Sequence, residues 1–332
     1  MLHFVVRRLV GYLAVVVIGT SAGYLLVATT LDPRAKYDAM QPRPSEATIT
    51  TALSEVNMNP ADPPLVRLGR WARGIVTHGD FGRTLDNRSI NDETGRRMWV
   101  SARLVLIASV LGSLLGIMLG AYGATHQYRW SDHSIAFLSL VILSVPVFVL
   151  GVAVKQPVIG FNDAVGSTVL YLQGEYGAGN GGWGWSAVMD RLRHLVVPSF
   201  SLALGMLALF SRYQRATMID VLGSDFLRTA RAKGLRRRQV LVRHGLRIAV
   251  IPMVTLFSYH LAATFVGAIF TEKIFGWHGM GEFLIDSLNN NDINSVATVV
   301  FFSVVLVVLA GLVADVVHAR LDPRVRSERS RR

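Results

Sequence analysis

DFLRTARAKGLRRRQVLVRHGLRIAVIP (Asp225–Pro252) carries eight arginines or lysines against one carboxylate, and apolar runs flank it on both sides. Asp225 is placed to cap a first helical turn, Phe226–Lys233 is mostly good helix formers, and Gly234 sits where a left-handed residue ends a helix. Arg231 and Lys233 near the C-terminal end suit the helix dipole. Thr229, Ala230 and Ala232 leave one side of this helix without bulk, so another protein surface could approach it closely. A solvated positive loop would account for the charge. It does not account for the short helix, the small face and the glycine stop together.

Six runs free of Asp, Glu, Lys and Arg follow one another along the chain: Leu9–Leu31, Leu104–Thr125, Ser134–Val154, Leu195–Ser211, Ile248–Thr271 and Ile293–Ala314. They contain 23, 22, 21, 17, 24 and 22 residues. A helix rising about 1.5 Å per residue needs roughly 20 residues to cross about 30 Å of hydrocarbon. The reading is an all-α integral membrane protein with six transmembrane helices. The 17-residue run carries Pro198 and Gly205, and a re-entrant or interfacial segment is its alternative. The first run follows Arg7 and Arg8 but exceeds the roughly 7–15 apolar residues of a signal peptide, so it is expected to stay as a membrane helix.

Basic residues near membrane helices mark the cytoplasmic side. Arg212–Arg247 holds ten Lys or Arg and the tail 320–332 holds six, whereas Glu272–Asp292 holds only Lys273. Both termini are therefore expected on the cytoplasmic side of the membrane. Asp32–Trp99 also has ten, but long loops translocate largely regardless of charge. The expected division is the N-terminal tail and first helix (1–31), a large extracytoplasmic loop or small subdomain (32–99), and a five-helix core (100–332). That core contains the cytoplasmic loop 212–247 and the basic tail 320–332. The net charge of +12 belongs to membrane-flanking arginines and implies contact with lipid, not with nucleic acid.

The first outer loop is predicted to hold helices over Ser45–Asn57, capped by Ser45, and over Leu65–Val76, with Leu68, Trp71 and Ile75 on one face. Gly79-Asp80-Phe81-Gly82-Arg83-Thr84-Leu85 follows, where both glycines permit a tight turn. Gly174–Trp185 is glycine-rich, has no phosphate-cradle pattern and reads as a flexible loop. Its Tyr176, Trp183 and Trp185 suit the membrane interface. The last outer loop reads Glu272-Lys-Ile-Phe-Gly-Trp-His-Gly-Met-Gly-Glu282. Ser109, Gly112, Ser113, Gly116 and Gly120 form a small face at i, i+4 spacing, suited to close helix packing.

The order of residues in RTARAKG (Arg228–Gly234) resembles the EAA loop of permease subunits in bacterial ABC importers, most nearly the B-type permeases for oligopeptides and dipeptides. Arg228, Thr229, Ala230 and Gly234 occupy its Glu-Ala-Ala-x-x-x-Gly positions, without the Glu. Gly79, Asp80, Phe81 and Gly82 resemble the family's GD-[FL]-G element. Glu272, Phe275, Trp277, Gly279 and Gly281 match its E-x-[VI]-F-x-W-P-G-x-G element, with His278 in place of proline. The resemblance implies a type I importer permease fold. It implies ATPase coupling through Asp225, Phe226, Arg228, Thr229, Ala230, Lys233 and Gly234, and a pathway mouth at the Glu272–Gly281 element, where an aromatic interfacial anchor remains the other reading of Trp277. The implied partners are a homologous C-type permease, which would also meet the small face, one or two ABC ATPase subunits and an extracytoplasmic peptide-binding protein. No cofactor would be bound by this chain; ATP and Mg would sit on the ATPase subunits. A nickel-chelate or glutathione importer is the alternative within the class.

No catalytic set is visible. The chain has no Walker A sequence, no HExxH and no cysteine, and its nine histidines do not cluster. His260 is the one ionisable group expected at a span centre, as a packing or a pathway residue. The absence of membrane carboxylates argues against a stand-alone proton- or sodium-coupled carrier, and the lack of a catalytic set against a membrane hydrolase.

Overall fold

The computed structural model describes residues 2–177 and 184–321; Trp183 and the tail beyond Leu321 lie outside the described residues. The described residues are mostly helical: α1 (Leu2–Thr30), α2 (Ala35–Asp38), α3 (Glu46–Glu55), α4 (Pro64–His78), α5 (Ile90–Thr125), α6 (Trp130–Ser144) and α7 (Val147–Val165) come first. They are followed by α8 (Trp185–Leu222), α9 (Asp225–Ala232), α10 (Arg237–Gln239), a π-helical turn (Val240–Leu246), α11 (Arg247–Ala249), α12 (Ile251–Phe275), α13 (Met280–Asn289) and α14 (Ile293–Leu321). Among the described residues, the one β-type pairing is the antiparallel bridge Arg83–Ser89.

Among the described residues, five helices are long and apolar enough to cross a membrane, and a sixth arises if Arg237–Ala249 and Ile251–Phe265, bent by 43°, count as one broken span. The all-α membrane architecture expected from the apolar runs is therefore the one found, with three differences in detail. The 17-residue run is the middle of α8, whose 38 residues resolve its marginal length. The run Ser134–Val154 is not one helix: α6 ends at Ser144, and Pro146 precedes α7, having no N–H to continue the ladder. α7 then continues past Val154 to Val165, which puts Lys155 inside a membrane-length helix. Helix hydrogen bonding does not stop where the charge-free run stops.

The chain divides into two compact units that follow packing rather than membrane topology. One comprises residues up to Ala102 together with His278–Leu309. Its core joins Tyr24, Val27 and Ala28 of α1 to Ile49 and Leu53 of α3, Trp71 of α4, and Ile293, Val296 and Ala297 of α14. The segment between α1 and α5 is thus packed into a core with α1 and α14. Ser45 caps α3 by accepting from Thr48 N at 3.3 Å, as the sequence predicts. Leu68 and Ile75 pack beside Trp71, and the buried Arg67 donates through Nη2 to Ala28 O at 3.1 Å, near the carbonyl end of α1.

The other unit comprises Arg103–Trp277 and residues from Ala310. Here the small face of α5 meets α8 of the same chain. A Cβ at Gly112, Gly116 or Gly120 would lie 2.5, 2.6 or 2.4 Å from the carbonyl oxygens of Ala203, Leu207 or Ser211. The expected partner permease is therefore not what this face packs against. Met206 and Phe210 of α8 and Met253 of α12 continue the core.

Candidate coupling surface and outer elements

Backbone geometry defines the ends of α9. Gly234 has φ +81° and follows the last helical residues, with its N–H donating to Arg231 O at 2.9 Å. Ser224, not Asp225, is the N-cap residue, and its hydroxyl turns back to Val221 O. Asp225 is the first helical residue. Its carboxylate favours the helix N-terminus and lies 3.5 Å from Arg228, but both side chains are exposed and the pair contributes little. Leu227 is the anchor, with 1% exposure. It lies against Gly245 of the π turn, where an added Cβ would sit 3.5 Å from Leu227 Cδ1 and 3.4 Å from Met218 Cε. With Leu227 turned in, Phe226 (41% exposed), Arg228, Thr229, Ala232 and Lys233 are left outward, and Ala230 is half-buried. The small face is real, and a large aromatic ring stands beside it.

The π turn was not foreseen. It inserts between α10 and α11 with Val240 and Gly245 buried, and such turns shift the helical register at a single place.

The segment Glu272–Trp277 closes α12. Gly276 (φ +56°) ends the helix in the left-handed form, with Gly276 N donating to Lys273 O at 3.4 Å and Trp277 N to Glu272 O at 2.8 Å. Two carbonyls remain at this helix end. Lys155 Nζ donates to Ile274 O, and Gly174 N donates to Phe275 O at 3.0 Å. Lys155 also lies 4.9 Å from the centre of the Phe275 ring. All four terminal carbonyls of α12 are thereby satisfied, two of them by residues far away in sequence. Glu272, Phe275 and Trp277 are all buried, so Trp277 is not an exposed interfacial ring.

The glycine-rich segment is also tied down as far as it is described, contrary to the expected flexible loop. Glu175 pairs with Arg103 at 2.6 Å, Gly177 N donates to Asp190 Oδ2 at 2.7 Å, and Arg191 lies over the Tyr176 ring. Trp185, 79% exposed at the start of α8, has the exposure that an interfacial ring needs.

In the other unit, Gly279 is the N-cap residue of α13 and Gly281 is buried in its first turn. Met280 N donates to Ser101 Oγ at 2.7 Å. His278 Nδ1 lies 2.6 Å from Glu282 Oε2, one turn on, so the residue that replaces proline is held by a side-chain contact instead of a ring. Arg97 Nη1 is 3.9 Å from the same carboxylate, and its guanidinium lies over Phe283. Gly79 (φ +65°) and Gly82 (φ +91°) make the tight turn that their spacing allows. Asp80 Oδ1 accepts from Gly82 N at 2.9 Å, and Phe81 packs among Trp71, Phe301 and Phe302. These four residues build structure around an aromatic core. Asp292 also belongs here: its buried carboxylate accepts from Ser295 N and Leu85 N, both at 3.0 Å, capping α14 and fastening the turn.

Sequence reading missed Lys155 and a second polar joint. Arg215 of α8 binds Asp132 of α6 through two bonds of 2.6 and 2.7 Å, and Tyr128 N donates to the same carboxylate at 3.2 Å. Nothing in the spacing of the sequence singles out either one. His260 makes an edge-to-face contact with Phe210. Among the described residues no group of three or more potential ligands could hold a metal ion.

These features define a multi-pass α-helical membrane protein that presents a short, anchored helix from a basic loop. The chain belongs to the family of the binding-protein-dependent transport system inner membrane component, whose model matches residues 112–327. It is 44% identical over 326 residues to the oligopeptide transport system permease protein OppB of Mycobacterium tuberculosis, covering 98% of this chain and 99% of that one. It is 32% identical over 291 residues to the oligopeptide transport system permease protein AppB of Bacillus subtilis, covering 86% and 87%. The glutathione transport system permease protein GsiC of Escherichia coli K12 is 29% identical over 328 residues, covering 98% and 99%.

Proposed function

We propose that this chain is the membrane-spanning permease subunit of an ATP-driven importer of oligopeptides or dipeptides, and that α9 transmits the work of separate ATPase subunits to it. The observation that carries the coupling assignment is the form of α9. Leu227 is buried, Gly234 ends the helix, and Phe226, Arg228, Thr229 and Lys233 face outward. The buried anchor seats α9 on the π turn at Gly245, which also lies against Met218 of α8, so force applied to the exposed face reaches a membrane helix through that turn.

ATP and magnesium would be held by those ATPase subunits, which dock under 212–247. A homologous permease completes the pathway, and an extracytoplasmic binding protein delivers the peptide. Both termini lie inside. ATP binding closes the ATPases, and the pathway rocks between its two openings. The likeness to oligopeptide permeases at 44% and 32% identity supports peptide cargo, and the likeness to GsiC supports glutathione as the second reading.

Extraction of the tagged chain in mild detergent, with mass spectrometry of what accompanies it, tests the assembly. A second permease and Walker-motif ATPases are expected. A chain that purifies alone and monodisperse contradicts the reading.

A further inference from the structure

On the α9 side of the second unit, a cavity of about 340 Å³ opens between the 124–129 turn and the basic loop. Arg129, Arg231 and Arg237 line it with His126, and no acidic residue does. Among the described residues none of the three guanidiniums pairs with a carboxylate, although the chain pairs Arg34, Arg43, Arg70, Arg97, Arg103 and Arg215. These three exposed guanidiniums line one space with no carboxylate beside them, which makes that space favourable to an anion. Ala124, Leu222 and Leu241 supply an apolar side to the same cavity.

The surroundings specify which anion. Tyr122, Tyr128 and Trp130 are 47%, 82% and 87% exposed beside the 124–129 turn, and Tyr122 stacks on His126 at 4.3 Å. Exposed Tyr and Trp at the end of membrane helices mark the headgroup level. A basic pocket at that level, on the cytoplasmic side and with one apolar wall, has the form that holds an anionic lipid headgroup. Guanidinium groups bind phosphate oxygens through paired N–H donors.

We propose that this cavity binds the phosphodiester of an anionic phospholipid, and that Arg231, on α9 itself, makes the bound lipid part of the coupling element. The same phosphate chemistry could come from free inorganic phosphate, and the two sources are separable. The lipid site rests on the orientation and the coupling role of α9 proposed above, and not on the identity of the cargo.

The complete assembly in detergent is incubated with phosphatidylglycerol and weighed intact by native mass spectrometry. The wild type is expected to retain one more phosphatidylglycerol per copy of this chain than an assembly carrying Arg129→Gln and Arg237→Gln, neither of which lies on α9. In nanodiscs of equal parts phosphatidylcholine and phosphatidylglycerol, wild-type transport-coupled ATP hydrolysis is expected to fall several-fold when phosphatidylcholine alone is used. The variant is expected not to respond. Equal lipid retention by wild type and variant overturns the proposal. So does recovery of activity in phosphatidylcholine on adding millimolar inorganic phosphate, which makes a free anion the ligand. Loss of ATPase subunits from the variant with lipid retention unchanged also overturns it, making the cavity a protein contact.

Discussion

Gly234 and Asp292 show how a single residue can be fixed by backbone and by burial. At Gly234 an added Cβ meets nothing within 4 Å, so a substitution there acts through φ alone. An L-residue in the left-handed region costs about 1–2 kcal/mol, and asparagine tolerates it best. Gly234→Asn should keep most coupled ATP hydrolysis in the assembled transporter, and Gly234→Val should lose most of it at unchanged expression. Equal activity of the two would remove the stop from the mechanism. Asp292 is 5% exposed, and burial pushes its carboxyl up, partly offset by the backbone amides of Ser295 and Leu85. Between the ordinary aspartate value and the raised one the folded state holds more protons than the unfolded. Stability should therefore fall as pH rises through that window. Asp292→Asn keeps an acceptor for the cap and should flatten this dependence in melting curves taken from acid to neutral pH. Asp292→Ala leaves two amides without their acceptor and should cost about 1–3 kcal/mol at every pH.

At the scale of elements, the contact between α5 and α8 is the most exacting. Gly116→Ala would place a Cβ 2.6 Å from Leu207 O, a backbone atom that cannot turn aside. Overpacking of this kind costs about 1–3 kcal/mol, so the yield of folded protein in detergent should drop. Gly160→Ala on α7, where nothing lies within 4 Å, is the control and should fold normally. The contrast also marks what the sequence could and could not disclose. Spacing identified the small face on α5 but not its partner, because a face built for close approach does not say which helix approaches. Ser45 and Gly234 were legible because caps are local. The ends of α7 and α8 were not, because helical hydrogen bonds run on past the first charged residue. Pro146 withholds one helical N–H wherever it stands. Whether it kinks a helix or separates two depends on what the neighbouring helices satisfy. Lys155 was hidden for the same reason as the α7 end: its role lies in carbonyls at the end of α12, far from it in sequence.

For the whole molecule, the claim is one orientation and one line of force. The chain has no cysteine, so single introduced cysteines report sidedness without background. Ser167→Cys, exposed after α7, should react with an impermeant maleimide in intact cells, and Gln239→Cys only after permeabilisation. The reverse pattern would invert the topology and place α9 outside. The line of force runs from the exposed face of α9 through Leu227 to the π turn at Gly245, which lies against Met218 of α8, and Leu227 is where it can be cut without touching the docking face. Leu227→Ala, in the complete assembly reconstituted in proteoliposomes with the binding protein and a radiolabelled short peptide, tests this most directly. The account predicts that ATPase subunits remain bound and hydrolyse ATP while ATP-driven peptide uptake falls several-fold. Uptake at the wild-type rate per ATP hydrolysed would contradict it.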